Sequence, residues 1–78
     1  MTRTTPATAE IHSTLLARVT YDLGDSCLQL EFCDGAIYAY FAVSETVHRE
    51  LLAADSKGVY FNTQIRSRFR YTCLRRPE

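Results

Sequence analysis

From Leu28 to Phe41 apolar and polar positions alternate around the pair Asp34-Gly35. Asp-Gly between alternating residues is a strong hairpin signal, because the tight turn needs positive φ at its central residues. A two-residue loop there predicts that Cys33 faces Ala36, Phe32 faces Ile37, Glu31 faces Tyr38, Leu30 faces Ala39, Gln29 faces Tyr40 and Leu28 faces Phe41. Side chains alternate along a strand, so one face gathers Leu28, Leu30, Phe32, Ile37, Ala39 and Phe41. The opposite face takes Cys27, Gln29, Glu31, Cys33, Ala36, Tyr38 and Tyr40. Upstream, Leu15 to Tyr21 reads as a first strand, and Asp22-Leu23-Gly24-Asp25 as a four-residue turn that pairs Tyr21 with Ser26 and Val19 with Leu28. That register sends Leu15, Ala17, Val19 and Tyr21 to the core, and puts Leu16, Arg18 and Thr20 on the face of Tyr38 and Tyr40.

Past the hairpin the period changes. Ser44 is placed as an N-cap with Glu45 in the first turn, and Val47, Leu51 and Ala54 recur at helical spacing from about Glu45 to Ala54. Asp55-Ser56-Lys57-Gly58 breaks that helix. A second helical stretch follows, with Phe61, Ile65 and Phe69 on one stripe and Arg66 and Arg70 on its neighbour. Tyr71 to Leu74 is a candidate last strand. The predicted fold is α+β: a three-stranded antiparallel meander, two helices on its apolar face, and a short C-terminal fourth strand as a candidate.

At 78 residues the chain is read as one domain, spanning residues 13–75. Residues 1–12, Thr- and Ala-rich without an apolar run, are read as a disordered arm and not as a secretory signal. No apolar run approaches the ~20 residues of a membrane span. A domain this small buries only about 60% of its unfolded surface and is marginal alone. Cys27, Cys33 and Cys73 are odd in number, and Cys27 and Cys33 lie ~20 Å apart along one strand. Free thiols in a reducing cytoplasm are therefore expected. With His12 and His48 they match no common zinc spacing, so neither metal nor other cofactor is inferred.

Net charge is zero, yet the halves differ. Residues 1–39 carry two basic and five acidic side chains, residues 40–78 seven basic and four acidic. Arg66 to Arg76 holds five arginines and no acid, a footprint for an anionic partner or the solvated end of a helix and a charged edge strand. No G-x-S-x-G, H-E-x-x-H or complete phosphate loop occurs, so an enzyme is not expected and no small-molecule substrate is inferred.

Over Leu28 to Leu74 the chain resembles the KTSC domain, named after a C-terminal extension of some lysyl-tRNA synthetases and also found as stand-alone bacterial proteins. The residues that carry the likeness are Leu28-x-Leu30-x-Phe32, Gly35, Tyr38-x-Tyr40, Val43, Val47, Leu51-Leu52-x-Ala54, Ser56-Lys57-Gly58-x-Tyr60-Phe61-Asn62, Ile65-Arg66, Phe69-x-Tyr71 and Leu74, with Tyr21-Asp22 upstream. Ser44 stands where the family usually has Pro, and both suit a helix start. The resemblance implies no established activity, and RNA binding by analogy.

Two functions are carried forward. One is a small nucleic-acid-binding accessory domain, RNA ahead of DNA. There Tyr38 and Tyr40 stack bases beside Arg18, while Lys57, Arg66, Arg68 and Arg70 contact phosphates. The other is a protein-interaction or self-association module using the same tyrosine face, with a homodimer expected from Tyr38, Tyr40 and Leu16. Burial of the tyrosines under the last strand or a second subunit stands ahead of stacking, because aromatics gain most from burial. Glu31, placed opposite Tyr38, counts against a phosphate there. Asn62 is open between an ordinary helix-surface residue and a hydrogen-bonding specificity group.

Overall fold

A computed structural model describes residues 7–11 and 13–78. Five antiparallel strands lie in the order β1 (Ala7–Glu10), β2 (Leu16–Asp22), β3 (Cys27–Phe32), β4 (Ile37–Tyr40) and β5 (Tyr71–Arg75). Between β4 and β5 run α1 (Glu45–Ala53) and α2 (Lys57–Tyr60), and α2 continues into a π-helical turn over Phe61–Ile65. The class is α+β with helices on one face, as expected, but the sheet has more strands than predicted. The C-terminal candidate is a full member, and Ala7–Glu10, within the segment expected as a disordered arm, pairs with β2. The rest of that segment, residues 1–6 and His12, lies outside the described residues.

The predicted register of the β3–β4 hairpin is off by one. Leu28 faces Tyr40, Gln29 faces Ala39, Leu30 faces Tyr38 and Glu31 faces Ile37. The loop has three residues: Phe32 N–H donates to Ala36 O at 2.8 Å, Gly35 N–H to Phe32 O at 3.0 Å, and the Asp34 carboxylate accepts from Ala36 N–H at 3.0 Å. Only Gly35 takes positive φ, at 93°. This is the three-residue hairpin with a left-handed Gly, which the same Asp-Gly signal serves equally well. Cys33, expected opposite Ala36, instead donates its N–H to Leu15 O.

A one-residue shift moves every side chain of β4 to the other face. Tyr38 and Tyr40 join Leu28 and Leu30 under the helices, while Ile37, Ala39 and Phe41 leave that face. Two tyrosine rings offer more apolar area for burial than the alternative trio does, since each aromatic buries about 150–250 Å². Of the six residues predicted on the core face of this hairpin, Leu28, Leu30 and Ala39 are buried, Ala39 from the opposite face; Phe32 and Ile37 are half-buried and Phe41 is exposed.

The β2–β3 register is offset by two, which preserves faces: Tyr21 pairs with Leu28 and Val19 with Leu30, around a turn of Leu23–Ser26. A bulge between Leu16 and Arg18 leaves Ala17 unpaired and turns Leu16 inward, opposite to its predicted side. The core joins Leu16, Val19, Tyr21, Leu28, Leu30 and Tyr40 of the sheet to Val43, Leu51, Phe61 and Ile65 above it. The buried Tyr21 hydroxyl donates to Val43 O at 2.6 Å.

Ser44 caps α1 as predicted, its Oγ accepting from Val47 N–H at 3.3 Å. Ser56 caps α2 in the same way through Val59 N–H. The second helical stretch ends earlier than its apolar stripe suggested. Arg66 N–H reaches back five residues to Phe61 O at 2.9 Å, and Phe69 and Arg70 lie in the connection to β5.

Gly35 tests the turn. At φ 93° an added Cβ is disfavoured by the backbone, and it would also meet Glu78 Cγ at 3.2 Å. Gly35→Ala is expected to cost about 1–2 kcal/mol in urea unfolding, with an unchanged denaturant slope. An unchanged midpoint would reject the three-residue turn.

Candidate nucleic-acid interface

β5 is an edge strand, and the helical layer stops short of covering it. Its registers place Tyr71 beside Tyr40 and Cys73 beside Tyr38 on the helix side of the sheet. Five aromatic rings therefore form a connected wall. Centroid separations are 5.6 Å for Tyr40–Tyr71, 5.7 Å for Tyr38–Tyr71, 5.8 Å for Tyr40–Phe61, 5.2 Å for Phe61–Phe32 and 5.8 Å for Phe32–Tyr38. They border a cleft of about 360 Å³, closed by Leu15 on one side and by Asn62 and Arg66 from the π-helical turn on the other. The turn's wide repeat buries Phe61 and Ile65, and Asn62 and Arg66 come to the cleft. Such turns are frequent at functional sites.

A second cleft of about 430 Å³ shares Tyr71 with the first and is otherwise lined by Phe41, Ala42, Arg68, Phe69 and Arg70. Among the described residues no carboxylate lines either cleft.

The predicted site residues are thus divided. Tyr38, Tyr40 and Arg66 share the first cleft, and Arg68 and Arg70 the second. Arg66 and Arg70, expected one helical turn apart, border different clefts. Lys57 gives its ammonium to Ala54 O at 2.8 Å, beside a separate depression with Ser13 and Asp55. Arg18 is not on the tyrosine face at all. It sits on the outer face of the sheet between Glu10 at 3.3 Å and Glu31 at 3.4 Å, and Glu31 also meets Arg75 at 3.8 Å. The one-residue hairpin shift explains this: Arg18 and Glu31 keep the face predicted for them while the tyrosines leave it, and Glu31, now facing Ile37, no longer opposes an anion beside Tyr38. The patch from which a homodimer was expected is not formed, since Leu16 and Tyr40 are core residues.

Two contributors went unassigned in the sequence. Tyr71 is expected as a strand residue and as part of the KTSC likeness, not as a site residue, and its 57% exposure follows from its edge position. Phe41 was assigned to the core, and its outward side chain follows from the hairpin shift.

Burial pushes the Tyr40 hydroxyl up to about 12, with Tyr38 and Tyr71 adding to the shift and Arg66 opposing it. Cys73 across the strand pair, followed by partial burial, raises Tyr38. His48, stacked on Tyr21 at 4.6 Å, is lowered by burial against the opposing pull of Glu45. A phenol whose folded pKa exceeds the ordinary 10 keeps its proton better folded than unfolded. Its contribution to stability is complete below pH ~10 and is lost as pH rises towards ~12. Denaturant midpoints should therefore hold up to about pH 10 and fall above it, and Tyr40→Phe should flatten that fall. An unchanged alkaline fall in Tyr40→Phe would show that Tyr40 is not its source.

The chain matches the model of the KTSC domain over residues 12–69. It is 47% identical over 54 residues to a lysine–tRNA ligase of Nostoc sp., a match that covers 69% of this chain and 10% of the ligase. The chain therefore spans about a tenth of the length of that relative. A protein of Tsukamurella paurometabola is 36% identical over 64 residues, covering 82% of this chain and 96% of that one. The crystal structure of a KTSC domain protein from Yersinia pestis superposes with a TM-score of 0.86 over 91% of this chain and all of its own, at 24% identity, and so shares the fold.

Proposed function

As this chain belongs to the KTSC domain family, whose model covers most of it, we propose that it is an accessory module that binds single-stranded RNA in the cleft of Tyr38, Tyr40 and Tyr71. The observation that carries the reading is an aromatic cleft edged by Arg66 and Asn62, with no carboxylate in its lining. Unpaired bases stack on aromatic side chains and offer their edges to hydrogen-bonding groups, while arginine neutralises phosphate. Tyr71 is the exposed ring for stacking, Asn62 the group that can read a base edge, and Arg66 the phosphate contact. One relative is an enzyme that by its name charges tRNA, which fits an RNA ligand for a module of this kind.

Self-association is the second reading, and the unpaired edge of β5 with its exposed Tyr71 and Leu74 favours it. Fluorescence anisotropy with labelled single-stranded RNA and with duplex DNA, at two salt concentrations, separates the two. RNA binding that outruns duplex binding and weakens steeply with salt supports the first reading. Concentration-dependent association of the protein with no RNA binding supports the second.

A further inference from the structure

Resting on that reading, we infer that the second cleft is a site for the next nucleotide of the same strand, so that the module takes two successive bases divided by the Tyr71 ring. Four observations converge on it. Tyr71 lines both clefts, so they are contiguous. The second cleft brings its own aromatic surface, Phe41 and Phe69, and Phe41 is 42% exposed although it is apolar. Two arginines, Arg68 and Arg70, line it and no described acid does, which suits an anionic phosphodiester. Finally, the backbone that presents Phe41 is held in an unfavourable shape.

Ala42 has φ 58°, a left-handed conformation that a residue with a Cβ seldom adopts. Backbone strain of this kind persists only where the surroundings impose it. Here Phe41 N–H donates to Arg70 O at 2.9 Å and Val43 N–H to Ser26 O at 2.8 Å, fixing the chain on both sides of Ala42. The outcome is a phenylalanine ring held in the lining of the cleft that Arg68 and Arg70 also line. Aromatic surface beside arginine is the recurring composition of single-strand sites.

Full-length protein is titrated with uridylate and with diuridylate at low salt, by NMR and calorimetry. Diuridylate should bind about 5- to 150-fold more tightly, the gain from one further stacked base. Uridylate should shift signals of Tyr38, Asn62 and Tyr71, and diuridylate should add Phe41, Ala42 and Phe69. Phe41→Leu keeps apolar bulk but no ring. It should bring diuridylate down towards the affinity of uridylate and leave uridylate binding unchanged, with an unaltered circular dichroism spectrum. Equal affinities for the two ligands, with Phe41 and Phe69 unmoved, would overturn the two-base site and leave the single-base reading standing. Diuridylate binding unaffected by Phe41→Leu would also overturn it. No response to either ligand at millimolar concentration would remove both proposals.

Discussion

Leu30→Ala is expected to destabilise the fold by about 2–5 kcal/mol, the range for a leucine removed from a closed core. Leu30 lies on β3, the middle strand, and has no solvent exposure. Its neighbours on that face are Val19 and Tyr38 across the two ladders, both fixed by pairing on each side. They cannot close in on the missing methyl groups without moving strands, so most of the cavity remains. In a domain of this size 1 kcal/mol is worth roughly 4–8 °C in Tm, so a loss of about 8–40 °C is expected in calorimetry. Phe32→Ala should cost less than a fully buried phenylalanine would, because Phe32 is half-buried and borders the cleft. A Leu30→Ala midpoint within a few degrees of wild type would contradict this core.

The largest functional effect is expected from removing Arg66 and Arg70 together. Each borders one of the two clefts, so the double alanine variant should lose about one phosphate contact from each. The slope of log affinity against log salt should then fall by about 1–2 units, given roughly 0.7 per phosphate on a single strand. The loss should be similar for every sequence, because phosphate contacts position a strand and do not read it. Tyr71→Ala should behave in the opposite way: the salt slope holds, and about 1–3 kcal/mol of single-strand affinity disappears. Tyr71 is the better probe than Tyr40, whose 4% exposure makes its truncation a core deletion. Salt-dependent anisotropy on the two variants checks both, and equal slopes for the arginine variant and wild type would remove arginine–phosphate contact from the account.

Much of this architecture can be read from residue pattern. Ser44 begins α1 because its hydroxyl can satisfy a free N–H, and that is a local property. The faces of β2 and β3 follow from alternation of Val19, Tyr21, Leu28 and Leu30, and survive a register offset of two. The hairpin register does not follow in the same way. Asp34-Gly35 serves a two-residue and a three-residue loop alike, and the choice rests on which set of β4 side chains the helices cover, a tertiary matter. Tyr38 and Tyr40 do share one face, but it is the face opposite to the one the predicted register gives them, with other neighbours. Arg18 went with them on the assumed register and in fact completes an ion-pair ladder. Neither the bulge at Ala17 nor the π-helical turn has a local signature, since an extra residue in a ladder leaves composition untouched. β1 was missed because Ala7–Glu10 has little apolar content and is held by pairing with β2. The clefts were illegible for a related reason: they arise where the helices end short of an edge strand, which depends on all of these registers at once.

If the proposed function holds, the helix-side cleft, and not the outer sheet face, receives a single strand. Chemical-shift mapping of the labelled protein with a short oligouridylate at low salt tests it most directly. Shifts should cluster at Tyr38, Asn62, Arg66 and Tyr71 and weaken as salt is added, with Thr20, Gln29 and Arg18 on the outer face unmoved. Shifts confined to that outer row, or no shift anywhere at millimolar oligonucleotide, would contradict it.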